Sequence, residues 1–166
     1  MYRLNKPSYF LIVATLCLVM FPASMQGQLE TFFTKSDAFF KEYVTNGKVR
    51  YYRLANTTAL DDLIKQVAET SLLSQGEASI KAFYINAYNL LVIKGALSGY
   101  PLGSVQDIPN FFDNKDYIVA GARVSLNQLE KDILFPNFPD PRLHFVLVCG
   151  ALGCPPITDF AYVPEK

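Results

Sequence analysis

The stretch that decides the fold is "EASIKAFYINAYNLLVIKGAL", residues 77–97. Its apolar residues recur at helical spacing, which predicts a helix with one stripe of Ile80, Phe83, Tyr84, Ala87, Tyr88, Leu91 and Val92. The opposite face is also mostly apolar, so we expect the helix to be buried on most sides. Asn86 and Asn89 interrupt that second face. Because a buried amide costs free energy unless it is hydrogen-bonded, both side chains need partners on another element.

The sequence before this helix is mostly helical in pattern. Apolar residues at helical spacing predict an amphipathic N-terminal helix over residues 28–47, with Gly47 as a stop signal. Residues 49–56, "VRYYRLAN", are rich in strand formers and favour an extended segment. Thr58 and Asp61 resemble a capping box, so we expect a second helix to begin there.

The sequence after the central helix mixes strand and helix patterns. Residues 117–126, "YIVAGARVSL", predict two short strands about Gly121, and a helix follows over residues 126–135. Residues 142–150, "RLHFVLVCG", are apolar on both faces of an extended chain, which favours a covered strand. The predicted fold class is α+β, with a helical N-terminal half packed on a small β-sheet that has a buried C-terminal strand.

Composition restricts the class of protein. The chain has 166 residues, of which 51% are hydrophobic and 18% are charged, enough for one domain with a sizeable core. This composition excludes a mainly disordered chain. Lys and Arg total 15, as do Asp and Glu, and no run of basic residues occurs. We therefore expect no nucleic-acid partner, because such proteins carry a basic patch.

The first residues have the layout of a signal peptide, which we assign to residues 1–27. An apolar run follows two basic residues and ends at Pro22. The run is shorter than the ~20 residues that a membrane-spanning helix needs, and an N-terminal membrane anchor is the alternative. We expect cleavage between Ala23 and Gln28. The sequence thus predicts an exported protein, periplasmic, at the cell surface or secreted, that meets the membrane only through this segment.

Export leaves two cysteines in the mature chain, Cys149 and Cys154. An oxidising compartment lets such a pair form a disulfide, and two free thiols are the alternative. A zinc site built on these cysteines and His144 would lack a fourth ligand unless Glu130 or water supplied it. The sequence therefore predicts no metal and no cofactor.

Four motifs together resemble one known family. They are "AFYINAYNLLVI" (82–93), "DYIVAGARVSLNQLEKDIL" (116–134), "DPRLHFVLVCGALGCPPI" (140–157) and "AY" (161–162). In this order and at these separations they resemble the domain-of-unknown-function family 547, which occurs in exported bacterial proteins and in multidomain plant and animal proteins. The resemblance covers residues 48–166 and implies an α+β fold but no activity. Relatives continue beyond the "AY" step, so it also implies a domain that is incomplete at its C-terminus.

The polar side chains within these motifs form the candidate site: Asn86, Asn89, Glu130, Arg142, His144, Cys149 and Cys154. Our first hypothesis is a binding or structural module for an unknown small molecule or protein. Its polar network comprises Asn86, Asn89, Glu130, Arg142 and His144, and its two cysteines are oxidised.

The second hypothesis is a cysteine-dependent hydrolase or acyltransferase that acts on an amide or ester. Such an enzyme needs a thiolate nucleophile, an imidazole base, and a polar group that orients the base or stabilises an oxyanion. His144 is the candidate base, and Cys154, Cys149 and Glu130 complete the candidate catalytic set. Since side chains alternate along a strand, His144 and Cys149 should face opposite sides, which favours Cys154 as nucleophile. A hydrogen-bonded core histidine is the structural alternative.

Overall fold

The computed structural model describes residues 27–101, 103–114, 116–150 and 153–165. The helices are α1 (residues 27–43), α2 (Tyr51–Leu54), α3 (Ala59–Glu69), α4 (Glu77–Ser98), α5 (Leu126–Gln128), α6 (Phe135–Asn137) and α7 (Leu143–Val146). The strands are β1 (Val44–Thr45), β2 (Lys48–Val49), β3 (Tyr117–Val119) and β4 (Ala122–Val124). A 3-10 turn covers Val105–Asp107, and a π-helical segment, Leu129–Leu134, joins α5 to α6.

Two findings concern the predicted signal segment and the membrane. The signal segment falls on residues that, apart from Gly27, lie outside the described part. Within the described part, no helix combines the length and apolarity that crossing a membrane requires.

Helix α4 is the centre of the fold, as the sequence predicts. Its residues from Ala82 to Ala96 are buried at nearly every position. Helix α1 packs on it through the rings of Phe32 and Phe83, whose centroids lie 5.0 Å apart. Helix α3 lies on another side, where Lys94 Nζ forms an ion pair with an Asp61 carboxylate oxygen at 2.6 Å. A helix that is apolar all round is stable in water only when it is surrounded in this way.

The first hairpin shortens the predicted N-terminal helix. Helix α1 ends at residue 43, and β1 then pairs antiparallel with β2 in the register Val44↔Val49. The turn residues Asn46 and Gly47 have φ of 51° and 71°. Positive φ at both central positions is the type I′ hairpin turn that Asn-Gly favours, so Gly47 turns a hairpin and does not stop a helix.

The second hairpin confirms the two strands predicted about Gly121. Strands β3 and β4 pair antiparallel, with Tyr117 opposite Val124. The backbone N–H of Gly121 donates to the Ala68 carbonyl at 2.9 Å, which attaches the hairpin to the end of α3. Two small antiparallel sheets among mostly helical elements confirm the α+β class.

The buried C-terminal strand predicted over residues 142–150 is wrong, because its first part is helix α7. The Asp140 carboxylate accepts from the backbone N–H of Arg142 at 3.0 Å, and Pro141 follows Asp140 with a φ suited to a first helical turn. Leu143 and Leu147, four residues apart, are buried, whereas the residues between them are partly or well exposed. The turn at Asp140 and Pro141 and the helical spacing of the buried leucines therefore outweigh the apolar run.

The extended segment predicted over residues 49–56 is also wrong in its centre, where α2 forms one helical turn. The ring of Tyr51 stacks on Tyr100, which follows the end of α4, with centroids 5.9 Å apart. Burial raises the pKa of Tyr51 to about 12. This long-range contact overrides the local preference for an extended chain.

Candidate functional site

The side chain of Asn86 binds the backbone of the C-terminal segment. Asn86 is fully buried on α4. Its Oδ1 accepts from the N–H of Tyr162 at 3.0 Å, and its Nδ2 donates to the carbonyl of the same residue at 2.7 Å. Nδ2 also donates to the Ala82 carbonyl at 2.9 Å. The amide thus pairs with Tyr162 as a neighbouring strand would.

Asn89, one turn further along α4, holds a second segment in the same manner. Its Nδ2 donates to the Val146 carbonyl at 2.9 Å, and its Oδ1 accepts from the N–H of Val148 at 3.1 Å. The predicted need for partners on other elements is therefore met, and the partners are backbone groups. Both amides are engaged in holding chain segments that leave the regular elements.

Asp37 on α1 completes this arrangement, and sequence reasoning missed it. Its Oδ1 accepts from the N–H of Ala161 at 3.1 Å, next to the residue that Asn86 holds. Ser36 and Asp37 interrupt the apolar stripe of α1 between Phe33 and Phe40. The same signal, a polar residue on an apolar helical face, had marked Asn86 and could have marked Asp37.

Cys149 and Cys154 form a disulfide, with Cα atoms 5.8 Å apart. The structure thus supports the oxidised pair over two free thiols. Val148, which Asn89 holds, precedes the bridge directly, and Tyr162, which Asn86 holds, follows it. The disulfide therefore closes a short loop on the chain path between the two segments that α4 binds.

Glu130 pairs with α4 and not with Arg142. It lies on the π-helical segment, and its Oε2 accepts from the hydroxyl of Tyr88 at 3.3 Å. Tyr88 is buried, and burial, together with the Glu130 charge and the hydrogen bond to it, raises the pKa of Tyr88 above its usual range. Tyr88 therefore remains a neutral donor at physiological pH.

Arg142 pairs with Asp140. Its Nε donates to Oδ1 at 2.9 Å and its Nη2 to Oδ2 at 2.7 Å, while Lys81 forms a further ion pair with the same carboxylate. Hydrogen bonds from Arg142, then from Lys81, hold the pKa of Asp140 well below its usual range. The side chain of Arg142 is 83% exposed, so this cluster lies at the surface.

His144 is exposed on α7, so the expected position on a covered strand is wrong. Its ring lies against Phe135, with centroids 4.6 Å apart. The polar network predicted from the sequence is thus divided. The two asparagines hold backbone in the core and Glu130 binds Tyr88, whereas Arg142, which directly precedes α7, and His144 on α7 are exposed. Among the described residues, no three His, Cys, Asp or Glu side chains gather as metal ligands would.

Comparison with known proteins places the chain in a family. A family model described as "Protein of unknown function, DUF547" matches residues 72–166, more than half of the chain. The match begins later than the residue 48 expected from the sequence motifs, and it includes α4, the π-helical segment, α7 and the disulfide. Neither the curated proteins nor the solved structures contain a match to the chain. Because the family model matches more than half of the chain, the chain belongs to the DUF547 family.

Proposed function

We propose that this chain is a non-catalytic exported module that acts by binding another molecule. The observation that carries the proposal is the disulfide between Cys149 and Cys154. Cysteine catalysis requires a thiolate, and a sulfur in a disulfide is not one. The groups that a thiol enzyme would use as nucleophile are therefore occupied in this state of the protein.

The buried amides give the proposal further support. An amide that orients a catalytic histidine or stabilises an oxyanion must direct its Oδ1 or Nδ2 at that group. Asn86 and Asn89 instead use both ends of their amides on Tyr162, Val146 and Val148. Their arrangement suits a rigid scaffold that presents its surface to a partner.

Export is part of the same proposal. The N-terminal signal pattern supports it, and so does the disulfide, because such bonds persist in oxidising compartments and are rare in the cytosol. A tagged full-length chain expressed in bacteria should appear in the periplasmic or secreted fraction. N-terminal sequencing of that product should start between residues 24 and 28. A cytosolic product that retains its first residues would contradict export.

Thiol counting tests the non-catalytic proposal. The mature chain, denatured without reductant, should show no thiol that reacts with a maleimide, and after reduction it should show both Cys149 and Cys154. The Cys149→Ser/Cys154→Ser double variant is the matched control, since it should react in neither condition. If the native mature chain instead holds one thiol that is alkylated rapidly at neutral pH, the proposal fails and a cysteine-dependent hydrolase or acyltransferase is favoured.

A further inference from the structure

Helix α7 and the residue before it present exposed side chains that the hydrogen bonds in the core do not use. We define the α7 face as Arg142, His144 and Phe145. The side chain of Arg142 is 83% exposed, and Phe145 is 73% exposed. The N–H of Phe145 donates to the Arg142 carbonyl at 2.9 Å, so the two residues are one helical turn apart and their side chains are neighbours. A cation and an exposed aromatic ring thus lie side by side.

Asp140 orients the guanidinium of Arg142. Nε and Nη2 both donate to its carboxylate, which engages one edge of the planar group. The other edge, formed by Nη1 and the second hydrogen of Nη2, faces away from Asp140. Because the group is already held, a second carboxylate that binds this edge in a bidentate manner costs little further side-chain freedom.

The charge of the cluster favours an anionic ligand. Lys81 and Arg142 share the carboxylate of Asp140, so the cluster keeps one positive charge in excess. The His144 ring, also exposed, lies against Phe135, with centroids 4.6 Å apart. Arginine and phenylalanine are both enriched in protein interfaces relative to the rest of the surface, and arginine is among the residues that contribute most to binding energy.

We propose that the α7 face binds an acidic peptide segment of a partner protein. A Glu or Asp carboxylate of the peptide occupies the free edge of Arg142, and an apolar side chain near it packs on the ring of Phe145. This inference rests on the proposed binding function, and it names the site and the class of partner.

A peptide fits this surface better than other anions. Neighbouring peptide residues can offer a carboxylate and an apolar side chain about 5–6 Å apart, the spacing of adjacent side chains on one turn of α7. A membrane of anionic lipid is a different class of partner, which the experiment separates.

The experiment selects peptides from a displayed library of short random sequences on the full, disulfide-intact chain. Enriched sequences are synthesised with fluorescein and titrated by fluorescence anisotropy against the wild type, Arg142→Gln and Phe145→Ala. Two exposed residues elsewhere supply matched controls: Lys65, whose side chain is 71% exposed, as Lys65→Gln, and Leu73, 74% exposed, as Leu73→Ala. Circular dichroism melts verify that each variant folds.

We expect enriched peptides to share an acidic residue next to an apolar one. Each α7 substitution should weaken their binding about tenfold or more, while the two controls stay within about twofold of the wild type. Replacing the peptide's Glu by Gln should remove most of the effect of Arg142→Gln, because the two changes delete the same contact.

Three results would overturn the proposal. The first is a selection without enrichment, or with enrichment of peptides that lack acidic residues. The second is undiminished binding to both α7 variants, which would place a binding site elsewhere and leave the module proposal standing. The third is sedimentation of the chain with phosphatidylglycerol vesicles and no peptide binding, which would make the α7 face a lipid contact. Thiol counting is independent of all three, so the two proposals fail separately.

Discussion

Two side chains on α4 form hydrogen bonds with backbone groups that a neighbouring strand would otherwise pair with. Asn86 supplies Tyr162 with a donor and an acceptor, and Asn89 supplies Val146 and Val148 in the same way. Buried backbone groups need such partners, because leaving them unpaired costs free energy comparable to a lost hydrogen bond. The sequence showed that both amides needed partners. The sequence could not show which groups these partners are, because they are backbone atoms 57 to 76 residues further along the chain.

Replacing Asn86 should therefore destabilise the whole chain. Asn86→Ala leaves the N–H and carbonyl of Tyr162 buried or half-buried without a partner, which should lower the free energy of unfolding by about 2–3 kcal/mol. Urea denaturation at neutral pH measures the loss. Asn56→Ala is the control, since Asn56 is exposed in a turn and should change stability by less than about 0.5 kcal/mol. Equal effects of the two substitutions would contradict the role of the amide.

Asp140 gives stability a defined dependence on pH. Its pKa is lowered in the folded state by Arg142 and Lys81, so ionised Asp140 favours folding above the ordinary aspartate pKa of about 4. That contribution is lost as the pH falls from about 4 through the lower folded pKa. Asp140→Asn should thus flatten the decline of unfolding free energy below pH 4, as measured by urea denaturation along a pH series. Arg142→Gln should flatten it partly, and slopes equal to the wild type in both variants would contradict this.

At the scale of elements, local signals competed with apolar patterns. The Asp140-Pro141 pair starts a helical turn in a run that otherwise favours a strand, and Asn46-Gly47 turns a hairpin inside a predicted helix. Both are short signals that could have been read from the sequence. The helical turn of α2 could not have been predicted from the sequence, because it depends on the packing of Tyr51 on Tyr100, which is far along the chain. The predictions for α4 and for the second hairpin were confirmed, since their patterns were long or had a clear turn.

The close packing of α4 predicts that an alanine at Gly95 destabilises the protein, the opposite of what helix propensity alone predicts. In a helix interior, alanine normally stabilises the folded state by about 1 kcal/mol relative to glycine. At Gly95, however, a Cβ would lie 2.8 Å from the Phe111 ring and from the Tyr117 hydroxyl. Gly95→Ala should thus lower the free energy of unfolding by about 1–2 kcal/mol, because overpacking outweighs helix propensity.

A double-mutant cycle provides the control for Gly95. Phe111→Leu shortens the side chain that the new methyl group meets, so the double variant should lose less stability than the sum of the two single losses. Chemical denaturation of the four chains measures the coupling. A stabilising Gly95→Ala, or strict additivity, would show that α4 and Phe111 are not packed as described.

At the scale of the whole molecule, the family segment depends on the residues before it. Among the residues that the structure describes, the buried apolar side chains outside 72–166 are Leu29, Phe32, Phe33, Phe39, Phe40, Val44, Leu54, Leu60, Leu63 and Val67. These side chains cover apolar surface of the family segment, as Phe32 covers the ring of Phe83, and their removal would expose that surface to water. Helix α1 also holds the C-terminal segment through Asp37.

A chain of residues 72–166 should therefore fail to fold by itself. We expect it to lack a cooperative thermal transition, to bind the dye ANS and to show little near-ultraviolet circular dichroism. A chain of residues 27–166 is the control and should melt cooperatively. Cooperative melting of the shorter chain at a similar temperature would show that α1 and α3 are accessory to the family fold.

The sequence by itself determined the central buried helix, the second hairpin, the α+β class and the family, because each depends on periodicity, turn chemistry or motif order within a short stretch. The tertiary structure alone decided what Asn86, Asn89 and Asp37 bind, that Glu130 binds Tyr88, and that Arg142 and Phe145 share an exposed face. Those outcomes depend on which distant segments meet in space. A local pattern cannot encode that, because many segments of the chain could supply the same backbone donors and acceptors.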